Sequence, residues 1–266
     1  MHELTAEKND DALSLAAVGV AAYLVANVVH ECLGHGLTSL AVGARISVLT
    51  SVFFHSTPGS RMTDAGGPTA NLLAGLLLWA WLRRRPTPPA AQAFVRFALL
   101  LITVFNLTWA AGCFCQTGVS GHGDWSFVIA GLTPAGLWRS GAGLAGFALY
   151  WLALRTLGRG LDTFVGPAEA HRGRRLFRLI AWPYLGAGAA ACVAAALDRT
   201  GGAAALKGAA LESLALNAPL LLVPWFTRGA AAGAPGEPIL RYTAGLALIA
   251  GVFVTYALTL GHGLRF

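Results

Sequence analysis

The apolar residues of this chain are gathered into long runs, which short polar segments rich in arginine separate. An α-helix needs about 20 apolar residues to cross a bilayer, and by that length the pattern predicts six or seven transmembrane helices. The predicted spans are roughly 12–42, 67–83, 91–113, 137–157, 177–197, 208–227 and 239–260. The sixth is the weakest, because Glu212 and Asn217 interrupt its apolar run. We therefore expect an all-α polytopic membrane protein.

A different pattern lies between the first two spans, at residues 43–67. The run Ile-Ser-Val-Leu-Thr-Ser-Val-Phe-Phe is rich in β-branched and aromatic residues, and Pro58 and Gly59 follow it. This pattern predicts a small β-strand or hairpin insertion. Because a strand with unpaired edges cannot face lipid, we expect protein or water to cover it. The whole chain, 1–266, is predicted to be a single integral membrane domain, with a core at about 12–130 and additional helices at 137–262.

Composition and charge agree with a membrane protein. The chain is 56% hydrophobic and only 12% charged, whereas soluble domains carry about 25% charged residues. Its net charge of +7 would suggest nucleic acid in a soluble protein. Here the basic residues lie at the ends of apolar segments, as expected for retention on the cytoplasmic side. The lipid bilayer, and no nucleic acid, is therefore the expected partner.

The distribution of arginine and lysine also predicts the orientation. Most basic residues fall in the loops after the second, fourth and sixth spans. Assigning those loops to the cytoplasm places the N-terminus inside and, with seven spans, the C-terminus outside. The first eleven residues are polar and acidic, so we expect the first span to act as an uncleaved anchor. The abundance of Ala, Gly, Leu and Arg suits a bacterial inner membrane.

Ionisable residues cluster in the first span, in the sequence VVHECLGHGL at 28–37. Such residues are costly inside a membrane and point to function. His30 and His35 offer two nitrogen ligands for zinc, and Glu31 beside the first can accept a proton from water. Residues five apart lie about 140° apart on a regular α-helix, so the pair can share a metal only if the helix widens into a π-bulge. Gly34 is the residue that most easily allows this.

The third metal ligand is expected from the segment GVSGHGDWS at 118–126, which lies on the same side of the membrane as the end of the first span. A catalytic zinc site takes three protein ligands and keeps one position open. Asp124 is the candidate, with His122 as a substitute or as a partner of a ligand. The four cysteines lie in or beside apolar segments and form no disulfide framework.

The order of these motifs resembles the site-2 protease family of intramembrane zinc metalloproteases. HECLGH is followed by the strand segment, by AGGPTANLLAG at 65–75, by an Asn-bearing span with Asn106, and by Asp124. The resemblance covers about residues 25–130. It departs from the family in having HExxxH in place of HExxH and GHGDW in place of Leu-Asp-Gly.

The resemblance implies zinc-dependent cleavage of a transmembrane or membrane-proximal peptide in or beside the bilayer. It implies Glu31 as the general base, His30, His35 and Asp124 as zinc ligands, and Asn71 near the substrate strand or the oxyanion.

Two other functions remain open on the sequence. The same ligands would suit a zinc-dependent membrane hydrolase acting on a lipid or a small amphiphile. Alternatively, a protease-like protein that has lost catalysis would bind partner helices. The sequence identifies neither the substrate nor the oligomeric state.

Overall fold

The computed structural model describes residues 10–84, 92–166, 171–225, 227 and 238–266, and these are mostly helical. The helices are α1 (Ala12–Ala41), α2 (Arg61–Arg84), α3 (Ala93–Ser120), α4 (Asp124–Val128), α5 (Ala135–Leu161), α6 (Arg172–Ala196), α7 (Ala203–Trp225) and α8 (Thr243–Gly261).

Three of the helices change their winding along their length. A π-helical segment, Val29–Gly36, lies within α1. In α7 a π-helical turn at Leu211–Ala215 leads to a 3₁₀ segment at Ala218–Trp225, and α8 ends in a π-helical turn at Ala257–Gly261. Glu212, which weakens the sixth predicted span, lies in the π-helical turn of α7.

Among the described residues, five helices are long and apolar enough to cross a membrane: α1, α3, α6, α7 and α8. They coincide with five of the seven predicted spans. The other two predicted spans lie in α2 and α5, which are 24 and 27 residues long. Arginines, glycines and other polar residues dilute the apolar character of both helices. The polytopic membrane character is thus supported by the length and composition of the helices.

The centre of the bundle is formed where α1 packs against α2, α3, α6 and α8, while α3 also packs along α5. The largest fully buried side chains include Tyr23 of α1 and Trp109 of α3, whose rings stack 5.9 Å apart. A buried hydrogen-bond chain then crosses from α8 to α1. The Tyr256 hydroxyl donates to Asn27 Oδ1 (2.7 Å), and Asn27 Nδ2 donates to the Ser51 carbonyl (2.9 Å). This chain ties both helices to the loop between the first two strands.

A three-stranded antiparallel sheet lies at the end of the bundle where α1 and α8 both finish. Its strands are β1 (Arg45–Leu49), β2 (Phe54–Thr57) and β3 (Leu264–Arg265), in the order β2–β1–β3. The β1–β2 hairpin confirms the strand predicted within residues 43–67. The turn is closed by Thr50, whose hydroxyl accepts hydrogen bonds from two backbone amides of the turn. The sequence did not predict β3.

The opposite end of the bundle holds the starts of α1, α6 and α8. The Asp10 carboxylate accepts hydrogen bonds from the Arg175 guanidinium (2.8 and 3.0 Å) and from the Ile239 amide (2.9 Å). These three helices therefore run in the same direction. We call this end, which carries the arginine-rich loops, the basic end.

Candidate metal centre

The π-helical segment of α1 brings the two histidines of the motif onto one face. The amide of Leu37 donates to the carbonyl of Cys32, five residues earlier, as a π-helix requires. With this wider turn, residues five apart come into alignment. The ring centroids of His30 and His35 are 4.7 Å apart, and their Nε2 atoms are 3.1 Å apart. The irregular spacing HExxxH and the irregular helix thus compensate for each other.

The hydrogen bonds of the two imidazoles determine which nitrogen carries the proton. His30 Nδ1 lies 2.6 Å from Asn71 Oδ1, and His35 Nδ1 lies 2.7 Å from the Thr63 carbonyl oxygen. Both partners are acceptors, so both Nδ1 atoms donate. In the neutral rings the two Nε2 lone pairs then face each other across 3.1 Å. That arrangement is unfavourable unless a proton or a metal ion lies between the nitrogens.

Asn71 of α2 is held in place behind His30. Its Nδ2 donates to the Ala26 carbonyl (2.8 Å) and to Asn106 Oδ1 (2.9 Å), which directs its Oδ1 at His30. The side chain is fully buried, and these contacts use both of its N–H groups. Asn71 therefore accepts the hydrogen bond from His30 and orients the imidazole.

Asp124 brings its carboxylate to the same point from α4, of which it is the first residue. Its Oδ2 lies 3.2 Å from His30 Nε2, and its Oδ1 lies 3.7 Å from His35 Nε2. Gly123, with φ of 87°, precedes it in a backbone conformation that favours glycine. The Asp124 side chain is 27% exposed, against 6% and 7% for the histidines. It therefore forms the open edge of an otherwise buried cluster.

Cys113 of α3 is a fourth member of the cluster, and the sequence analysis gave it no such role. Its Sγ lies 3.6 Å from Asp124 Oδ2. Among the described residues, ligand atoms of His30, Cys113 and Asp124 all lie within 4.8 Å of one another, so this buried group can hold a metal ion. The proximity depends on the left-handed turn at Gly121, which reverses the chain between the two residues. Gly121 and Gly123 signal a turn in the sequence, but they do not indicate that Cys113 meets Asp124.

His122, the alternative third ligand, lies apart from the cluster. Its ring is exposed, and its Nδ1 donates to the Ser120 carbonyl 2.9 Å away. In the part of the chain that the structure describes, no hydrogen bond or ion pair joins it to His30, His35 or Asp124. The structure therefore favours Asp124 over His122.

Glu31 is buried beside the histidines, with 3% of its surface exposed. Within the described residues its Oε2 has no hydrogen-bond partner, so this oxygen is free to bind a proton or a water molecule. The same holds for Oε2 of Glu212 in α7. The sequence marked Glu212 only as an interruption of an apolar run.

Aromatic rings and glycines shape the space around the cluster. The Trp109 ring is tilted against His30 with centroids 5.5 Å apart, and Phe54 of β2 stacks on His35 at 5.4 Å. A Cβ atom on Gly67 of α2 would lie 2.7 Å from His30 Nε2 and would also press on His35 Nε2. The absence of a side chain at Gly67 thus keeps open the space that both nitrogens face.

Comparison with protein-family models, with curated proteins and with solved structures found no match to this chain.

Proposed function

We propose that this chain is a membrane-embedded zinc hydrolase that cleaves a peptide bond in or beside the bilayer. The observation that carries the proposal is the convergence of two Nε2 lone pairs and a carboxylate on one point. The distances are 3.1 Å between the two nitrogens and 3.2 Å from His30 Nε2 to Asp124. Such a group is stable only with a positive charge at its centre, and a buried site of this kind suits a metal ion.

The donor set fits zinc. Two imidazole nitrogens and one carboxylate are the ligands of many catalytic zinc sites, which keep a fourth position for water or substrate. The outer hydrogen bonds also fit, because zinc-binding histidines generally donate their other N–H to a carbonyl or carboxylate. Here Asn71 and the Thr63 carbonyl accept those bonds. A bound zinc ion would supply the Lewis acidity that activates water and polarises a carbonyl group.

The residues of the chain transfer the proton, orient the imidazoles and exclude water. Glu31 Oε2, buried and without a partner in the described residues, accepts a proton from the attacking water and returns it to the leaving amine nitrogen. Asn71 and Thr63 hold the two imidazoles in the tautomer that presents Nε2. We assign Asn71 this positioning role in place of a contact with the substrate. Trp109 and Phe54 exclude bulk water from the rings.

The sheet supports a peptide substrate over a lipid. A peptide bond in a helix is shielded by its own backbone hydrogen bonds, so the substrate must be extended before it is attacked. In the described residues β2 pairs only with β1, which leaves one edge of β2 free for an extended segment. Phe54 of β2 stacks directly on His35, so a peptide along this edge would pass beside the cluster.

The fold also supports an odd number of membrane crossings. β3 follows α8 and pairs with β1, which follows α1, so both helices finish at the same end of the bundle. That arrangement requires an odd number of crossings and suits seven, with α2 and α5 included. We propose the bacterial inner membrane as the location, with the sheet on the outer side.

The test is to purify the full chain in detergent without chelators and to measure zinc content and cleavage of single-span peptides. We expect stoichiometric zinc in the wild type and in Glu31→Gln, and a loss of cleavage of about 10²–10⁴-fold in the variant, as removal of a general base predicts. His122→Ala, a matched change outside the cluster, should cleave like the wild type.

Two results would overturn the proposal. One is the absence of zinc from an active preparation. The other is wild-type cleavage by Glu31→Gln. The same preparations are incubated with lipid vesicles, and turnover of lipid without cleavage of any peptide would replace the peptidase with a lipid hydrolase.

A further inference from the structure

A second site lies at the basic end of the bundle and is formed by residues outside the histidine motif. The end of α2, the start of α3 and the end of α5 enclose a cavity of about 260 Å³. Three arginines line it, one from each helix: Arg83, Arg96 and Arg159. We call this cavity the arginine pocket. Arg83 and Arg96 flank the connection between α2 and α3, and Arg159 comes from a distant segment, so the fold brings the three charges together.

The three arginines of the pocket have no carboxylate partner in the described part of the chain. The Arg83 guanidinium instead lies over the ring of Trp79, 4.9 Å from its centroid. Like charges gathered in one cavity repel one another, and this repulsion favours an anion that binds between them.

Neighbouring arginines at the same end behave differently. Arg172 pairs with Asp162 at 2.5 Å, Arg175 with Asp10 at 2.8 Å, and Arg241 with Asp11 at 3.1 Å. Aspartates are thus available at this end of the bundle, yet none of those that the structure describes pairs with a pocket arginine. Within the described residues, the pocket arginines thus differ from their paired neighbours.

The size and the other lining groups specify the anion. At about 260 Å³ the cavity falls below the range of roughly 300–1,000 Å³ typical of sites for larger ligands, so a compact group fits best. Thr156 and Thr163 add hydroxyl groups to the wall, and Leu100 contributes an apolar surface. Guanidinium groups bind phosphate oxygens in pairs of parallel hydrogen bonds. Together these groups suit a phosphate ester whose apolar part continues along the helices.

The position of the pocket identifies the source of that ester. It lies where α2 and α5 end and α3 begins, which is the level of the lipid headgroups for helices that cross a bilayer. Trp79, on the wall of the pocket, is a residue type enriched at this level. We propose that the arginine pocket binds the phosphate of an anionic glycerophospholipid and thereby ties α2, which carries Gly67 and Asn71, to α3 and α5.

The test uses native mass spectrometry of the full chain in detergent, titrated with phosphatidylglycerol and, in parallel, with phosphatidylcholine. The triple variant Arg83→Gln, Arg96→Gln, Arg159→Gln removes the pocket charge. Each arginine near a membrane surface contributes about fivefold to the affinity for anionic lipid, so we expect a loss on the order of 100-fold for phosphatidylglycerol. The corresponding triple lysine variant keeps the charge and should retain most of the binding, which separates loss of charge from loss of fold.

The matched control is the double variant Arg84→Gln, Arg155→Gln. Each of these arginines lies next to a pocket arginine, one residue or one helical turn away, but lines no part of the cavity. This control should bind phosphatidylglycerol like the wild type.

Equal binding of phosphatidylcholine, or wild-type binding by the triple glutamine variant, would overturn the site. Displacement of the lipid by inorganic phosphate at an equal concentration would overturn the assignment to lipid. Zinc content and peptide cleavage play no part in these measurements, so the outcome is independent of the proposed hydrolase.

Discussion

His30 and His35 point their Nε2 atoms at each other across 3.1 Å, while each Nδ1 donates a hydrogen bond in another direction. This arrangement is unfavourable for two neutral imidazoles, because their Nε2 lone pairs repel each other. The helix also widens over Val29–Gly36 to bring the rings together. An irregular helix and two buried hydrogen-bond acceptors thus hold the rings in this arrangement. A bound cation is the simplest physical reason for it.

Replacing His35 should remove bound zinc, whereas replacing Cys113 should leave it in place. His35→Ala removes one of the two facing nitrogens, so the purified protein should retain less than about a tenth of its zinc, since a catalytic site needs three protein ligands. Cys113→Ser should keep its zinc, because the thiol sits 3.6 Å from Asp124 Oδ2 as a hydrogen-bond donor. Elemental analysis of the purified variants measures both, with His122→Ala as the control. Loss of zinc in Cys113→Ser alone would instead make His30, Cys113 and Asp124 the ligand set.

Adding one methyl group at Gly67 should close the site. The new Cβ would lie against both Nε2 atoms, so Gly67→Ala should abolish zinc binding and, as an overpacked core position, lower stability by about 1–3 kcal/mol. Zinc content and thermal unfolding in detergent check this prediction. The matched control is Gly141→Ala in α5, where a Cβ meets nothing within 4 Å. If Gly67→Ala bound zinc like the wild type, the ion could not lie in front of the two nitrogens.

Removing the amide behind His30 should weaken zinc binding without abolishing it. Asn71→Ala leaves His30 Nδ1 without its acceptor, and the loss of such an outer partner typically costs about 10–100-fold in metal affinity. Competition with a chromophoric chelator measures this. Asn217→Ala is a matched change, because Asn217 is an equally buried asparagine that accepts a hydrogen bond from Thr108 and touches neither histidine. An equal loss in both variants would show a general effect on the fold.

Acid should weaken the loop between α6 and α7 through Asp198. Burial alone would raise the pKa of this carboxyl, but hydrogen bonds from the hydroxyl and amide of Thr200 and from the amide of Gly201 outweigh it and hold the pKa below its ordinary value of 3.8. A lowered pKa stabilises the fold above that value, and the contribution disappears as the pH falls through the folded pKa. The difference in melting temperature between wild type and Asp198→Asn should therefore be largest near neutral pH and shrink on acidification. A difference that does not change with pH would contradict this account.

Local patterns predicted the elements that depend on neighbours in sequence. The run of β-branched and aromatic residues predicted the β1–β2 hairpin, and the apolar runs predicted the long helices. The π-helical segment could also be anticipated, because histidines five residues apart cannot meet on a regular helix. The prediction that Asp124 reaches them depended on topology, since both segments fall on the same side of the membrane when spans alternate.

Other features depend on contacts that the sequence does not display. β3 has only two residues, Leu264 and Arg265, too few to produce a pattern, and it exists because β1 offers it an edge. Cys113 joins the cluster through the turn at Gly121, and Asn71 turns out to face His30 because Ala26 and Asn106 accept its N–H groups. The apolar runs of α2 and α5 led to their prediction as spans, although these two helices are less apolar than the other five long ones.

The position of β3 in the chain determines when the three-stranded sheet can form during synthesis. β3 follows α1 to α8 in the chain, so β1 gains its second neighbour only after these helices have been synthesised. Until then the hairpin that carries Phe54 is a two-stranded ribbon, and such ribbons are only marginally stable in isolation. In a nascent chain, His30 and His35 are therefore synthesised well before the hairpin beside them is fully paired. The β2 side of the cluster is therefore completed after the helices that carry His30, Cys113 and Asp124.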